Sequence, residues 1–223
     1  MHLYFDLDCL AKLVACGLLE KTFDMFSVQP EEVYIVKTFP FTCQRKEKKY
    51  RKGRLVELAE AYHEAGERMK AFSTIELSNE EVDTLSMLSQ IPDIDPGEAE
   101  LLTAFCVDGE SLYLCTGDKR CIKALDENKD KINNLENTLK GRIVHFEQLL
   151  SAFCKVMDFP ALLELMTTRQ AQDCDNVVKI AFHARVDVSH SLESLAGYAD
   201  YVNDFCISQE KLEARLEQIK RSI

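Results

Sequence analysis

Four short apolar runs, set apart by stretches of helical character, constrain this chain more than any other feature. Leu3 to Leu7, Val33-Tyr34-Ile35-Val36, Ser111-Leu112-Tyr113-Leu114-Cys115 and Arg142-Ile143-Val144-His145-Phe146 are strand-length segments of aliphatic, β-branched and aromatic residues. Behind the first, Leu10, Leu13, Val14 and Leu18 recur at helical spacing. Leu55 to Phe72 is rich in helix formers, and Ser78 with Glu81 three residues on is a capping box that opens a helix to about Leu88. Asp95-Pro96-Gly97-Glu98 starts a further helix, and Lys119 to Leu125 another. Strands alternating with helices predict an α/β protein with a mostly parallel sheet and right-handed crossovers.

From about Glu147 the strand signals mostly stop. Gln148 to Val156, Ala161 to Met166, Val177 to Ala184, Ser191 to Phe205 and Glu210 to Ile219 read as helices, broken by Pro160, by the polar stretch Asp173 to Asn176 and by Ser208. The organisation expected is a domain over 1–150 with a helical C-terminal extension over 151–223. In the last helix Leu212, Leu216 and Ile219 form one apolar stripe. Such a stripe must be buried, against its own domain or against a partner chain, whether an inhibitory protein or a second copy.

At 46% hydrophobic residues in 223 the chain has ample material for a core. Nine cysteines without any C-x-x-C pair fit neither a disulfide framework nor a zinc ribbon. They read as reduced thiols, which points to the cytoplasm. The N-terminus lacks a basic segment followed by a long apolar run, and no stretch approaches about 18 apolar residues, so neither secretion nor a membrane span is expected.

Charge is distributed unevenly. Arg45, Lys46, Lys48, Lys49, Arg51, Lys52 and Arg54 face a single acid, Glu47, giving +6 in a chain of formal charge −11 and leaving −17 for the rest. Following Pro40, this run is expected to be an exposed loop. A basic patch on an acidic body binds phosphates at one place while the body repels them; the alternative is solvated surface with no partner.

The acids carry the chemistry. Asp6 closes the first strand, Glu98 stands at a helix start and Asp118 follows another strand, so a parallel sheet would gather all three at its carboxyl edge. Hard oxygen ligands of this kind suit Mg²⁺ or Mn²⁺, which activates water and stabilises the charge of a phosphodiester displacement. Each acid also has a structural role open to it: Asp6 or Asp8 and Asp118 as helix caps, Glu98 as the third residue of a capping box begun by Asp95.

Asp6 at a strand end, Asp95-Pro96-Gly97-Glu98-Ala99-Glu100-Leu101-Leu102, and Leu114-Cys115-Thr116-Gly117-Asp118-Lys119-Arg120 before a helix together resemble the PIN-domain nucleases. The resemblance covers roughly 1–150 and implies a three-layer α/β/α sandwich whose acidic cluster holds Mg²⁺ or Mn²⁺ and cleaves single-stranded or structured RNA. Many members are toxins neutralised by a partner protein. By that likeness Asp6, Glu98 and Asp118 are catalytic and metal-binding, with Thr116 as the small hydroxyl residue beside them. Arg45, Lys48, Lys49, Arg51, Lys52, Lys119 and Arg120 are the cations available to bind RNA. One departure stands out. The family places another acid soon after the second strand, whereas Thr38-Phe39-Pro40-Phe41-Thr42 holds none; either Asp8, Glu100 or Asp126 fills the role, or the metal is weakly held or activity impaired.

Two rival readings exist. Phe5-Asp6-Leu7-Asp8 copies the Asp-x-Asp strand end of haloacid-dehalogenase phosphatases, but Cys9-Leu10 stand where those have Gly-Thr. The other is an adaptor that keeps the fold and binds without cleaving. No G-x-S-x-G or H-E-x-x-H motif occurs.

Overall fold

Leu3, Tyr4 and Phe5 are buried one after another, which requires both faces of their strand to be covered. The computed structural model, describing residues 1–53, 55–108, 112–199 and 203–220, accounts for this with a five-stranded, all-parallel sheet. In chain order the first half is β1 (His2–Phe5), α1 (Leu7–Ala15), α2 (Leu19–Phe26), β2 (Val33–Ile35), α3 (Phe39–Lys52), α4 (Val56–Arg68), β3 (Ser73–Thr74), α5 (Val82–Leu88) and α6 (Pro96–Val107). The second half is β4 (Leu112–Thr116), α7 (Lys119–Glu127), α8 (Glu136–Leu139), β5 (Ile143–His145), α9 (Phe146–Val156), α10 (Phe159–Met166), α11 (Arg169–Cys174), α12 (Asn176–Ala181), α13 (Val188–Gly197) and α14 (Gln209–Lys220). The protein is thus a three-layer α/β/α sandwich with a helical C-terminal extension.

Strand order is β3-β2-β1-β4-β5. The chain builds outward from β1 through β2 to β3, then crosses back to lay β4 on the other side of β1, with Leu3 paired to Val33 on one flank and to Tyr113 on the other. Connections after β1 and β4 therefore leave in opposite directions, and a crevice opens between the carboxyl ends of these two strands.

The extension is tied to the sheet. Gly141 and Ile143 donate backbone hydrogen bonds to the carbonyls of Asp204 and Phe205 at 2.9 Å each, and Ile207 donates to Ile143 at 2.8 Å. Chain from 203 to 207 therefore runs alongside β5 and covers an otherwise open edge. Helix α9 is buried nearly all round because α13 and α14 pack over it. Leu212 and Leu216 are buried there, so these two residues of the last helix's apolar stripe are covered by their own chain; the Ile219 side chain lies outside the described residues.

Several expectations need correction. The basic run is no loop: α3 continues to Lys52, with Pro40 in its first turn, where its missing N–H costs nothing. Unbranched Lys and Arg are good helix formers, and Lys49, Arg51 and Lys52 in the last turn complement the negative end of the helix dipole. The helix expected to reach Phe72 ends at Arg68, and the one expected over Ser191 to Phe205 ends at Gly197 before a stretch beside β5. Ser111, assigned to the third strand, lies outside the described residues, as does Arg54. Strand β3 has two residues, too few to show a period, and α11 is polar with only Ala171 buried.

All nine cysteines are free thiols. Among the described residues no helix is long and apolar enough to cross a membrane.

Candidate functional site

The crevice between β1 and β4 is a cleft of about 900 Å³, and the acids from three distant segments line it. Asp6 stands one residue past β1, its N–H donating to the Cys115 carbonyl at 3.0 Å, and it caps α1. Both of its carboxylate oxygens accept hydrogen bonds. Cys9 N–H donates to Oδ1 at 2.6 Å; Gly117 N–H donates to Oδ2 at 2.8 Å, joined there by the Thr116 hydroxyl. Burial, seconded by the charge of Asp8, raises the Asp6 pKa against these bonds.

Glu98 sits in the reciprocal capping box of α6: Asp95 N–H donates to its Oε2 at 2.8 Å, and its own N–H donates to Asp95 Oδ1 at 2.8 Å. Burial, and behind it the charges of Asp118, Asp95 and Asp6, push Glu98 up to about 8 against the capping bond. Asp118 caps α7, accepting from Arg120 N–H at 2.7 Å and Cys121 N–H at 3.3 Å, while the Arg120 guanidinium meets Oδ2 at 2.9 Å. Burial pushes this carboxyl up, yet Arg120 and the helix amides outweigh it and hold the pKa below the ordinary range.

Each acid therefore plays the structural role open to it in addition to lining the cleft. Among the expected cations, Arg45, Lys119 and Arg120 line it as well; Lys48, Lys49, Arg51 and Lys52 lie farther along α3 and do not. Of the three candidates for a further acid, Asp8 is in the cleft. Glu100 lines a separate pocket of about 680 Å³, and Asp126 is paired with Lys129 at 2.6 Å.

Two constellations escaped sequence reasoning. Lys12 Nζ lies 2.6 Å from Asp8 Oδ2 and 2.7 Å from Asp175 Oδ2. Burial works against its charge, but the two carboxylates outweigh that and raise its pKa. The Asp8–Lys12 pair at i, i+4 was legible on α1; Asp175 arrives from the extension and left no signal. Gly117 keeps this floor clear, since a Cβ there would stand 3.2 Å from Lys12 Nζ and 3.3 Å from Asp8 Oδ2. Deeper in, Lys119 Nζ meets Glu147 Oε1 at 2.8 Å and the Tyr198 carbonyl at 3.1 Å, and His145 Nδ1 pairs with the other Glu147 oxygen. Burial alone would raise the Glu147 pKa; His145 and Lys119 instead hold it at about 2.

Among the described residues no three His, Cys, Asp or Glu side chains are grouped closely enough to hold a metal ion as they stand. The donor set nonetheless fits Mg²⁺ or Mn²⁺ in kind. It is all carboxylate oxygen, and Glu98 is raised by burial and, behind that, by the charges of Asp118, Asp95 and Asp6, a repulsion that a bound cation would relieve.

No protein-family model, no curated protein and no solved structure matches this chain.

Proposed function

We propose that the chain is a divalent-metal-dependent ribonuclease, with Asp6, Glu98 and Asp118 holding Mg²⁺ or Mn²⁺. The observation carrying this reading is that acids from residues 6, 98 and 118 line one cleft at the point where strand order reverses, with Glu98 raised by burial first and by the neighbouring acids second. The resemblance of these segments to PIN-domain nucleases supports it, and nine free thiols suit a reducing cytoplasm. When bound, such an ion lowers the pKa of water and offsets charge on a phosphodiester.

The chain's own residues do the rest. Thr116 and Gly117 N–H fix the Asp6 carboxylate, Arg120 holds Asp118, and Arg45 and Lys46 at the cleft draw phosphate toward an acidic body.

Labelled RNA and DNA incubated with Mn²⁺ and with excess chelator test the reading. RNA cleavage that vanishes in chelator is expected; undiminished cleavage there removes the metal from the mechanism.

One observation favours a second reading, a binding adaptor without cleavage. Lys12 and Arg120 already lie on Asp8 and Asp118, so two cleft acids are neutralised from within the chain. A protein that binds RNA and never cuts it under any divalent ion is that adaptor.

A further inference from the structure

The outer face of α3 suits the substrate of a ribonuclease, and the role assigned to it rests on that reading of the cleft. Residues four, seven and eleven apart on a helix share a face. Phe41, Arg45, Lys48 and Lys52 follow that spacing, with Lys49 beside them, and all five are exposed. The opposite face holds Phe39 and Cys43, both buried, and Tyr50, stacked on Tyr62 with ring centroids 5.5 Å apart. Glu47, the helix's single acid, lies off the stripe, where Arg51 Nε holds it at 2.9 Å and His63 faces it at 3.3 Å. Four cations and one aromatic ring thus share a face that has no carboxylate of its own.

This stripe starts at the cleft, which Thr38, Thr42 and Arg45 line. Phe41 stands between them in sequence and is 69% exposed, more than any other large hydrophobic among the described residues. The helix dipole explains cations in the last turn of α3; it explains neither Arg45 nor a phenyl ring left in water.

We propose that Phe41 stacks an unpaired base of single-stranded RNA whose phosphates run along Arg45, Lys48 and Lys52 and whose strand then enters the cleft. From Phe41 to Lys52 the track is about 16 Å long at the helical rise. Every base offers a π face, so such a ring grips a single strand without regard to sequence, while the cations neutralise its backbone. A duplex keeps its base faces inside the stack and offers the stripe phosphates alone. The track therefore selects unpaired strands. An acidic protein segment would answer the cations equally but has no base for Phe41.

The test is equilibrium binding in chelator, so that nothing is cut. Wild type, Phe41→Ala, Phe41→Trp and the Lys48→Ala/Lys52→Ala pair are titrated with a labelled single strand, the same sequence as duplex, and an abasic strand of equal length. Phe41→Ala weakens single-strand binding roughly tenfold, Phe41→Trp restores it, and duplex and abasic strands change by less than about twofold. The lysine pair weakens all three alike. Phe41 is exposed, so truncating it removes no core contact. No loss with Phe41→Ala, an equal loss on all three ligands, or a wild type that does not bind single-stranded RNA overturns the proposal. Cleavage in Mn²⁺ is followed separately: a chain that binds as described and never cuts leaves this track standing and removes the ribonuclease reading.

Discussion

Along the outer face of α3, Arg45, Lys48, Lys49 and Lys52 all stand in water, whereas at the ends of β1 and β4 Asp6 is 6% exposed and Glu98 and Asp118 are partly buried around it. Both regions adjoin one cleft, yet charge behaves differently in each. Exposed cations sit in water of high dielectric with salt around them, so even at helical spacing each perturbs its neighbours only weakly. The acids are close enough, and dry enough, that Asp118, Asp95 and Asp6 all raise Glu98. Changing one member of the acid group alters the others; changing one cation of the stripe leaves its neighbours as they were.

The largest expected effect comes from that coupling. Asp118→Asn lowers kcat/KM on RNA by about 10²- to 10³-fold, the range for losing one preorganised electrostatic group. It leaves the fold intact, because Asn caps a helix as well as Asp does and α7 keeps its cap. Asp6→Asn lowers cleavage at least as far, but its amide nitrogen cannot accept from whichever of Cys9 N–H or the Gly117 and Thr116 donors it meets, so stability falls by about 1–3 kcal/mol. Steady-state kinetics beside urea unfolding separates the two effects. Wild-type rates in both variants would place the chemistry elsewhere.

Glu147 breaks the comparison from inside the protein, being a buried acid that faces Lys119 and His145 rather than other acids. Its folded pKa of about 2 lies below the unfolded value, so its stabilisation is present above about 4.5 and is lost as pH falls toward 2. A shift of that size corresponds to about 3 kcal/mol. Urea unfolding from pH 6 to pH 2.5 shows it directly: Glu147→Gln is less stable at pH 6 and the gap to wild type closes on acidification. A gap independent of pH would mean that Glu147 contributes packing alone.

How much of this was legible along the chain depended on whether a feature was local. Strand β1 was, because three consecutive buried apolar residues leave a clear run, and so was the start of α6, because Asp95, Pro96 and Glu98 make its cap with their own atoms. The helical state of α3 was not. Only Phe39 and Cys43 of its fourteen residues are buried, too few for an apolar period, and Pro40 reads as a break unless the helix is known to start there. Within the cleft, the acids at strand ends were visible as strand ends. Asp175 was not, because 163 residues of chain separate it from Lys12 and only the packing of α11 against α1 and α4 brings it in.

Divalent ion sharpens the contrast between the regions. At about 100 times its dissociation constant, Mn²⁺ raises the unfolding free energy by about 2.7 kcal/mol if it binds the folded state alone. The gain disappears in Asp118→Asn and survives Lys48→Ala/Lys52→Ala, because those lysines are remote from the acids and in water. Thermal denaturation with and without Mn²⁺ measures it. A gain equal in wild type and Asp118→Asn would show an ion bound elsewhere.

The smallest effect separates two cations of the same helix turn. Lys52 belongs to the exposed stripe, while Arg51, next to it in sequence, turns to Glu47 at 2.9 Å. If the stripe carries phosphates, Lys52→Gln lowers the slope of log affinity against log salt by about 0.7, the value for one contact on a single strand. Arg51→Gln changes that slope little, since its guanidinium is already matched by a carboxylate, and its effect on stability is that of a surface pair, under about 1 kcal/mol. Both substitutions remove one charge from one turn, so any effect of net charge alone is the same for both. A slope lowered equally by the two would mean that RNA sees only the helix's total charge, and the sorting of cations onto one face would have no part in binding.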